Sequence, residues 1–176
     1  MSPADRPTVV SRRNLVRALL GRNIPPSGEE ARQTQADPHA AGDAAFIAGD
    51  FAGAVAAYRA SVRGDLSNVA VRTRLGQALF LTGQFIQARV EFEHVLRLTD
   101  GQNPMARIGL GLCLLELGKT AKAAVTLAAF ADPERPELET QAHELAAALE
   151  ADQAPATATG ALLALAQATG LFPESA

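Results

Sequence analysis

The residues of this chain that most often perform chemistry are three histidines and one cysteine, and their spacing does not assemble a reactive set. His39, His94 and His143 are far apart in the sequence, and none belongs to a His-x3-His pair of the kind that binds zinc. Cys113 lies among leucines, which favours a small buried side chain over a reactive thiol. We therefore expect no metal site and no cofactor.

Two further patterns have structural explanations that are simpler than catalysis. Gly109-Leu110-Gly111 lacks the third glycine and the preceding strand of a dinucleotide-binding fingerprint. Glu91 and Glu93 fit the solvated face of a helix. Because catalysis needs convergent polar groups and the sequence shows none, we expect a protein that is not an enzyme and has no small-molecule substrate.

The composition favours helices in a chain of 176 residues. Hydrophobic residues make up 48% of it, aromatic residues only 5%, and tryptophan is absent. A single cysteine excludes an internal disulfide, and no uninterrupted run of about 18 apolar residues could span a bilayer. These features indicate an all-α protein.

Charge is distributed unevenly between the N-terminus and the rest of the chain. Residues 1–22 contain five arginines and one aspartate, a net charge of +4, so the remainder carries -7 of the total of -3. Nucleic-acid binding requires a basic face, so we do not expect it of the acidic body. An anionic partner could be bound only by the leader, residues 1–22.

The leader contains Ser11–Arg17, which resembles the twin-arginine export motif S-R-R-x-F-L-K. Arg17 and Pro25-Pro26 interrupt the apolar stretch that export requires, so we expect a cytoplasmic protein. A short amphipathic helix here could dock on an anionic membrane surface or on a partner, and a disordered tail is the alternative. This N-terminal docking segment comprises Arg12, Arg13, Leu15, Val16, Arg17, Leu19 and Leu20.

A repeat of 34 to 35 residues runs through the middle of the chain. Segments that start at Gly49, Gly83 and Gly118 align without a gap. In the same register stand upstream glycines and pairs of a small and a large residue: Gly42, Gly76 and Gly111, then Ala54 with Tyr58, Ala88 with Phe92, and Ala123 with Leu127. We expect the upstream glycines to let two helices approach closely and the loop glycines to end the first helix of each pair. The small-and-large pairs should fill the interface.

These positions resemble the tetratricopeptide repeat family, whose unit of 34 residues carries a W-x2-L-G-x2-Y, A-x3-F, P pattern on two antiparallel helices. The second unit matches best, with Arg72-x2-Leu75-Gly76-x2-Leu79 followed by Ala88-x3-Phe92. Tryptophan and the closing proline are missing from all three units. The resemblance covers about residues 35–137 and implies a tetratricopeptide-type helical solenoid of three helix-turn-helix repeats.

The chain accordingly divides into three predicted segments. Residues 1–34 form the basic leader and a flexible linker, and residues 35–150 form the repeat array with a capping helix at Glu137–Glu150. Residues 151–176 form a linker and a short apolar helix around Ala161–Leu171, whose leucines need a surface to bury them.

The resemblance implies that the first helix of each pair lines a concave groove that contacts a ligand. The implied lining is His39, Asp43, Phe46, Thr73, Gln77, Phe80, Ile108, Leu112 and Leu115. Asp43, Gln77 and Leu112 stand where carboxylate-clamping members of the family use asparagines, so an apolar or amphipathic helix is the expected ligand. Two alternatives stay open: some of these residues belong to the core, or the C-terminal helix occupies the groove in cis.

Together these features predict a non-catalytic protein–protein interaction module. It would act as an adaptor or assembly factor that binds a helical or extended segment of a bacterial-type partner protein. The alternative is a structural accessory subunit of a larger, membrane-associated complex, attached through the basic leader and the apolar C-terminal tail.

Overall fold

The computed structural model describes residues 38–154 and 157–172, and all regular structure in these ranges is helical. The helices are α1 (Pro38–Ile47), α2 (Phe51–Gly64), α3 (Val69–Leu81), α4 (Phe85–Leu98), α5 (Pro104–Glu116), α6 (Thr120–Ala128), α7 (Pro136–Glu150) and α8 (Ala158–Ala168). The described part of the chain contains no strand, which confirms the expected all-α class. None of its helices has the length and apolar character needed to cross a membrane.

Helices α1 to α6 form three hairpins whose connections, residues 48–50, 82–84 and 117–119, end the preceding helix in the same way. Gly83 has a φ of 73°, and the N–H of Gln84 donates to the carbonyl of Leu79 at 2.8 Å. Gly49 and Gly118 adopt the same left-handed conformation in the other two hairpins. Glycine adopts it without the steric penalty of a Cβ atom, so the expected role of the loop glycines is confirmed.

Helices α2, α3 and α5 begin at acidic or amide residues that cap their free backbone N–H groups. The side chain of Asp50 accepts from Gly53 N–H at 2.8 Å. Asn68 and Asn103 accept from the N–H groups three residues further on, at 3.1 and 2.8 Å. Each cap satisfies a donor that the helix itself leaves unpaired, which fixes where α2, α3 and α5 start.

In each hairpin a glycine of the first helix lies directly against a large side chain of the second. A Cβ atom added to Gly76 would lie 2.6 Å from ring atom Cε1 of Phe92. Gly42 lies in the same way against Tyr58 and Gly111 against Leu127, with distances of 2.5 Å. The second helices contribute fully buried alanines, Ala54, Ala88 and Ala123, at the same interfaces. The expected packing of the small and large residues is therefore confirmed.

The hairpins stack because each helix also packs against the next one along the chain, and α3 packs against α5. Phe92 of α4 joins two hairpins, since its ring lies against both Gly76 of α3 and Gly109 of α5. Helices α3 and α5 are consequently buried along most of their length, whereas α2, α4 and α6 each bury one stripe. The core lies between these two sets of helices.

The last two helices extend beyond the three hairpins. Helix α7 packs on α6 and buries Leu138, Ala142 and Leu145, as the sequence predicts for the Glu137–Glu150 helix. Helix α8 begins and ends three residues earlier than expected. Gly170, with a φ of 69°, ends it, and the N–H of Leu171 donates to the carbonyl of Ala166 at 2.9 Å.

The close contact at Gly76 gives a direct test of the fold. In the Gly76→Ala variant the new methyl group would overlap the ring of Phe92, and we expect the free energy of unfolding to fall by about 1–3 kcal/mol. Gly64→Ala is the matched control, because Gly64 is also helical and no atom lies within 4 Å of its would-be Cβ. That variant should be neutral or more stable by up to about 1 kcal/mol in urea denaturation. Equal effects of the two substitutions would contradict the packing described here.

Candidate functional site

The first-helix face is the side of α1, α3 and α5 that carries the nine predicted groove residues. Four of them keep exposed surface: His39, Asp43, Thr73 and Leu115. The other five are buried: Phe46, Gln77, Phe80, Ile108 and Leu112. Ile108 and Leu112 have no accessible surface at all, so in this conformation neither can contact a ligand. The role of the face in binding a partner stays a prediction.

The C-terminal segment covers the part of this face that belongs to α5. Helix α8 packs against α5 and α7 and buries Leu162 and Ala166. Beyond its end, the ring of Phe172 packs edge-to-face on Phe80 of α3, with 5.2 Å between the ring centroids. The arrangement corresponds to the alternative in which the C-terminal helix occupies the groove in cis.

A polar anchor holds the end of α8 to the loop between α6 and α7. Arg135 Nε donates to the carbonyl of Thr169 at 3.1 Å, and its terminal nitrogen pairs with Asp132 at 2.8 Å. Asp132 is buried, and its backbone N–H donates to Glu139 of α7 at 2.9 Å. The buried carboxylate of Asp132 therefore orients the guanidinium of Arg135 toward the end of α8. Carbonyl groups at a helix end lack intrahelical partners, so they are free to accept its hydrogen bond.

An open cleft of about 860 Å³ separates α3 from the C-terminal segment. Its α3 side consists of Val69, Ala70, Thr73, Arg74 and Gln77, and Asn103, Gln167, Gly170, Leu171 and Phe172 complete the lining. Ala70 and Arg74 are exposed at one wall, and Phe172 forms part of the opposite wall. The cleft thus combines apolar surface with a few hydrogen-bonding groups and one cation, a mixture typical of binding sites.

Sequence reasoning missed Ala70 and Arg74, although a helical pattern could have found them. Ala70 and Arg74 lie one turn apart and share a stripe of α3 with the predicted residues Thr73 and Gln77. Extending the predicted lining by one turn toward the helix N-terminus would have included Ala70. The cleft wall formed by residues 167–172 had no comparable signal, because it depends on where the C-terminal segment docks.

The α1 part of the face contains a hydrogen-bonded set of side chains. The hydroxyl of Tyr58 donates to Asp43 Oδ1 at 2.6 Å, while Asp43 Oδ2 lies 3.1 Å from Nε2 of His39. The guanidinium of Arg74 lies 5.5 Å from the centroid of the Phe46 ring. Burial and the bond to Asp43 raise the pKa of the Tyr58 phenol well above its ordinary value. A phenol that stays protonated is suited to holding α1 on α2 rather than to acting as a base.

Other residues singled out in the sequence are placed as follows. Cys113 is fully buried, as expected, and burial raises the pKa of its thiol to about 12. Within residues 38–154 and 157–172, no three His, Cys, Asp or Glu side chains are grouped so that they could hold a metal ion. The N-terminal docking segment, from Arg12 to Leu20, lies outside the described residues.

Neither the models of known protein families nor the curated proteins include a match to this chain.

Alkaline titration tests the environment of Tyr58, which is the chain's only tyrosine. Its pKa in the unfolded chain is about 10, and its raised pKa in the fold means that its stabilising contribution is complete below pH 10 and declines as the pH rises further. Above pH 10, wild-type stability should fall more steeply than that of Tyr58→Phe, by up to about 1.4 kcal/mol per pH unit. Cys113 and the lysines also affect the pH dependence of stability. Their contributions are the same in both chains and cancel in the difference between the wild type and Tyr58→Phe. Tyrosinate absorbance that appears near pH 10 in the folded protein would contradict this prediction.

Proposed function

We propose that this protein is a tetratricopeptide-type repeat protein that binds a segment of another protein on its first-helix face and has no catalytic role. The main support is the open cleft between α3 and the C-terminal segment, whose lining includes Thr73 and Gln77 of that face. A ligand bound in this cleft would contact both α3 and the C-terminal segment.

Three similar hairpins support the repeat assignment. Each has a first-helix glycine against a large second-helix side chain sixteen residues later, and each first helix ends at a left-handed glycine. The family's tryptophan position is filled by Arg72 and Arg107, which use the space differently. Each donates to a loop carbonyl six residues upstream, of Leu66 and Gly101 respectively. Both arginines thereby join a hairpin to the preceding loop by a hydrogen bond. They do so at the position where the family has a packed tryptophan.

The lining of the cleft indicates the chemistry of the bound segment. Half-buried Leu171 offers apolar surface on one side, and half-buried Thr73 offers a hydrogen-bonding group on the other, while Phe172 and Gln77 complete the lining as buried residues. Arg74 adds a positive charge at the wall of the cleft. An amphipathic or extended segment with an apolar side and a carboxylate or carbonyl near Arg74 would satisfy all three. The protein would then serve as an adaptor or assembly factor.

The alternative function, an accessory subunit attached through both chain ends, receives less support from the C-terminal tail. Leu162, Ala166 and Phe172, which would have to contact the larger complex, are buried inside this chain. The tail would have to dissociate from α5 and α7 before it could attach the protein to a complex. An attachment through the leader alone stays a prediction.

The proposal is tested by filling the cleft without disturbing the core. Phe80 and Leu112 are unsuitable because both are buried, and a charge at either position would unfold the protein. Ala70→Trp instead places a large ring at an exposed position of the cleft, and Ala56→Trp is the matched control on the exposed side of α2. Tagged wild-type and variant chains would be purified from the cells that produce the protein, and co-purifying proteins measured by quantitative mass spectrometry.

We expect at least one protein to co-purify with the wild type and with Ala56→Trp, and to fall at least tenfold with Ala70→Trp. The reason is steric, because the indole would occupy volume that the bound segment needs. Circular dichroism should show equal helicity for all three chains. A set of co-purifying proteins that Ala70→Trp leaves unchanged would show that the cleft is not the binding site.

A further inference from the structure

Helix α8 and Phe172 have the properties of a bound ligand more than those of a structural helix. No residue between 157 and 172 is charged, and the buried side chains form one stripe, Leu162, Ala166 and Phe172. The main contacts of α8 are with α5 and α7, and Phe172 adds one with Phe80 of α3. The segment therefore lies on the first-helix face, where the repeat pattern places a partner.

The seam between α7 and α8 is incompletely packed. An open pocket of about 250 Å³ lies between them, lined by Gln141, Glu144, Leu145 and Ala148 of α7 and by Ala158 and Ala161 of α8. The side-chain oxygen Oε1 of Gln141 is buried there without a hydrogen-bond partner in the described part of the chain. A buried acceptor without a partner costs free energy, so this seam stabilises α8 less than a fully satisfied interface would.

Helix α8 also has little stability of its own. It is 11 residues long, its N-cap Thr157 makes no side-chain hydrogen bond, and it contains Gly160. The would-be Cβ of Gly160 meets no atom within 4 Å, so close packing does not explain this glycine. A helix this short is marginal in water, and glycine weakens it further. Its order depends on the surface beneath it.

Phe172 links this seat to the open cleft. Its ring forms part of the cleft wall and also packs on the buried ring of Phe80. A bound segment that extends along the face beyond the cleft would therefore meet Phe172 first. Removal of Phe172 and α8 would open the face of α5, where the repeat pattern places Ile108 and Leu112.

From these observations we propose that the surface beneath α8 and Phe172 is the second part of the binding face, occupied by the chain's own tail until a partner displaces it. The proposal rests on the proposed function. The occupant that replaces the tail is an uncharged amphipathic helix of the partner, followed by an aromatic side chain that fits against Phe80. The cleft then serves as the point of entry.

The first test uses the full-length chain and a fluorescent peptide of residues 157–172 with two added lysines for solubility. Gly160→Ala strengthens α8 without a clash and should weaken peptide binding about fivefold, whereas Phe172→Ala loosens the tail and should strengthen binding at least tenfold. Gly64→Ala is the matched control, because it adds the same methyl group to an open helical glycine far from the tail, and it should change nothing. Equal affinities across the four chains would overturn the proposal.

The second test measures hydrogen exchange in the same full-length chains without the peptide. We expect residues of α8 to exchange at least 100-fold faster than those of α5, and Gly160→Ala to slow α8 alone about fivefold. Exchange of α8 that is no faster than that of α5 would show that the tail opens only when the whole domain unfolds. A dimer in light scattering that Phe172→Ala dissociates would place the tail on a second copy and would likewise overturn the proposal. Because neither test includes a partner, their outcome is independent of the Ala70→Trp experiment.

Discussion

The ring of Phe92 packed between Gly76 and Gly109 is the contact on which the rest of the structure depends. It brings α4 close to α3 within one hairpin and to α5 of the next hairpin. A single side chain therefore sets the distance from α4 to α3 and the distance from α4 to α5. Side chains larger than hydrogen at either glycine would push the helices apart, because well-packed interiors transmit such strain rather than absorb it. The orientation of the first-helix face, and with it the shape of the cleft, follows from these spacings.

A second constraint acts where one hairpin meets the loop before it. Arg72 donates to the carbonyl of Leu66 and pairs with Glu91 of α4 at 2.6 Å, so it joins the loop, α3 and α4. Both partners of this pair are largely shielded from water, and a charge left alone there would be costly. At the corresponding position of α7, Glu139 accepts from the N–H of Asp132 in the preceding loop. Polar side chains therefore fix the packing of α3 and α7 on the loops that precede them.

The sequence predicted the features that depend on local pattern and failed where distant segments meet. The period of 34 to 35 residues was enough to predict the helical hairpins, the left-handed loop glycines and the contacts of Gly42, Gly76 and Gly111, because each involves residues close together along the chain. The complete burial of Ile108 and Leu112 was predicted only as one alternative, since periodicity does not show how many neighbouring helices cover a residue of α5. Phe172 was missed as a cleft residue because its position depends on where the C-terminal segment docks, whereas Arg74 shares a stripe of α3 with predicted residues. Local periodicity specifies a helix and its apolar stripe, but it carries no information on which of several apolar surfaces that stripe will cover.

The anchor at Arg135 does not depend on which side chain follows the end of α8. The guanidinium binds the main-chain carbonyl of Thr169, not its side chain, and every residue offers such a carbonyl. The hydrogen bond therefore depends on where the helix ends and not on which amino acid supplies the carbonyl. A substitution at position 169 would leave this hydrogen bond intact. A helix of different sequence that ends at the same point could accept the same hydrogen bond from Arg135. This corner of the molecule recognises backbone geometry and places no requirement on the side chain at position 169.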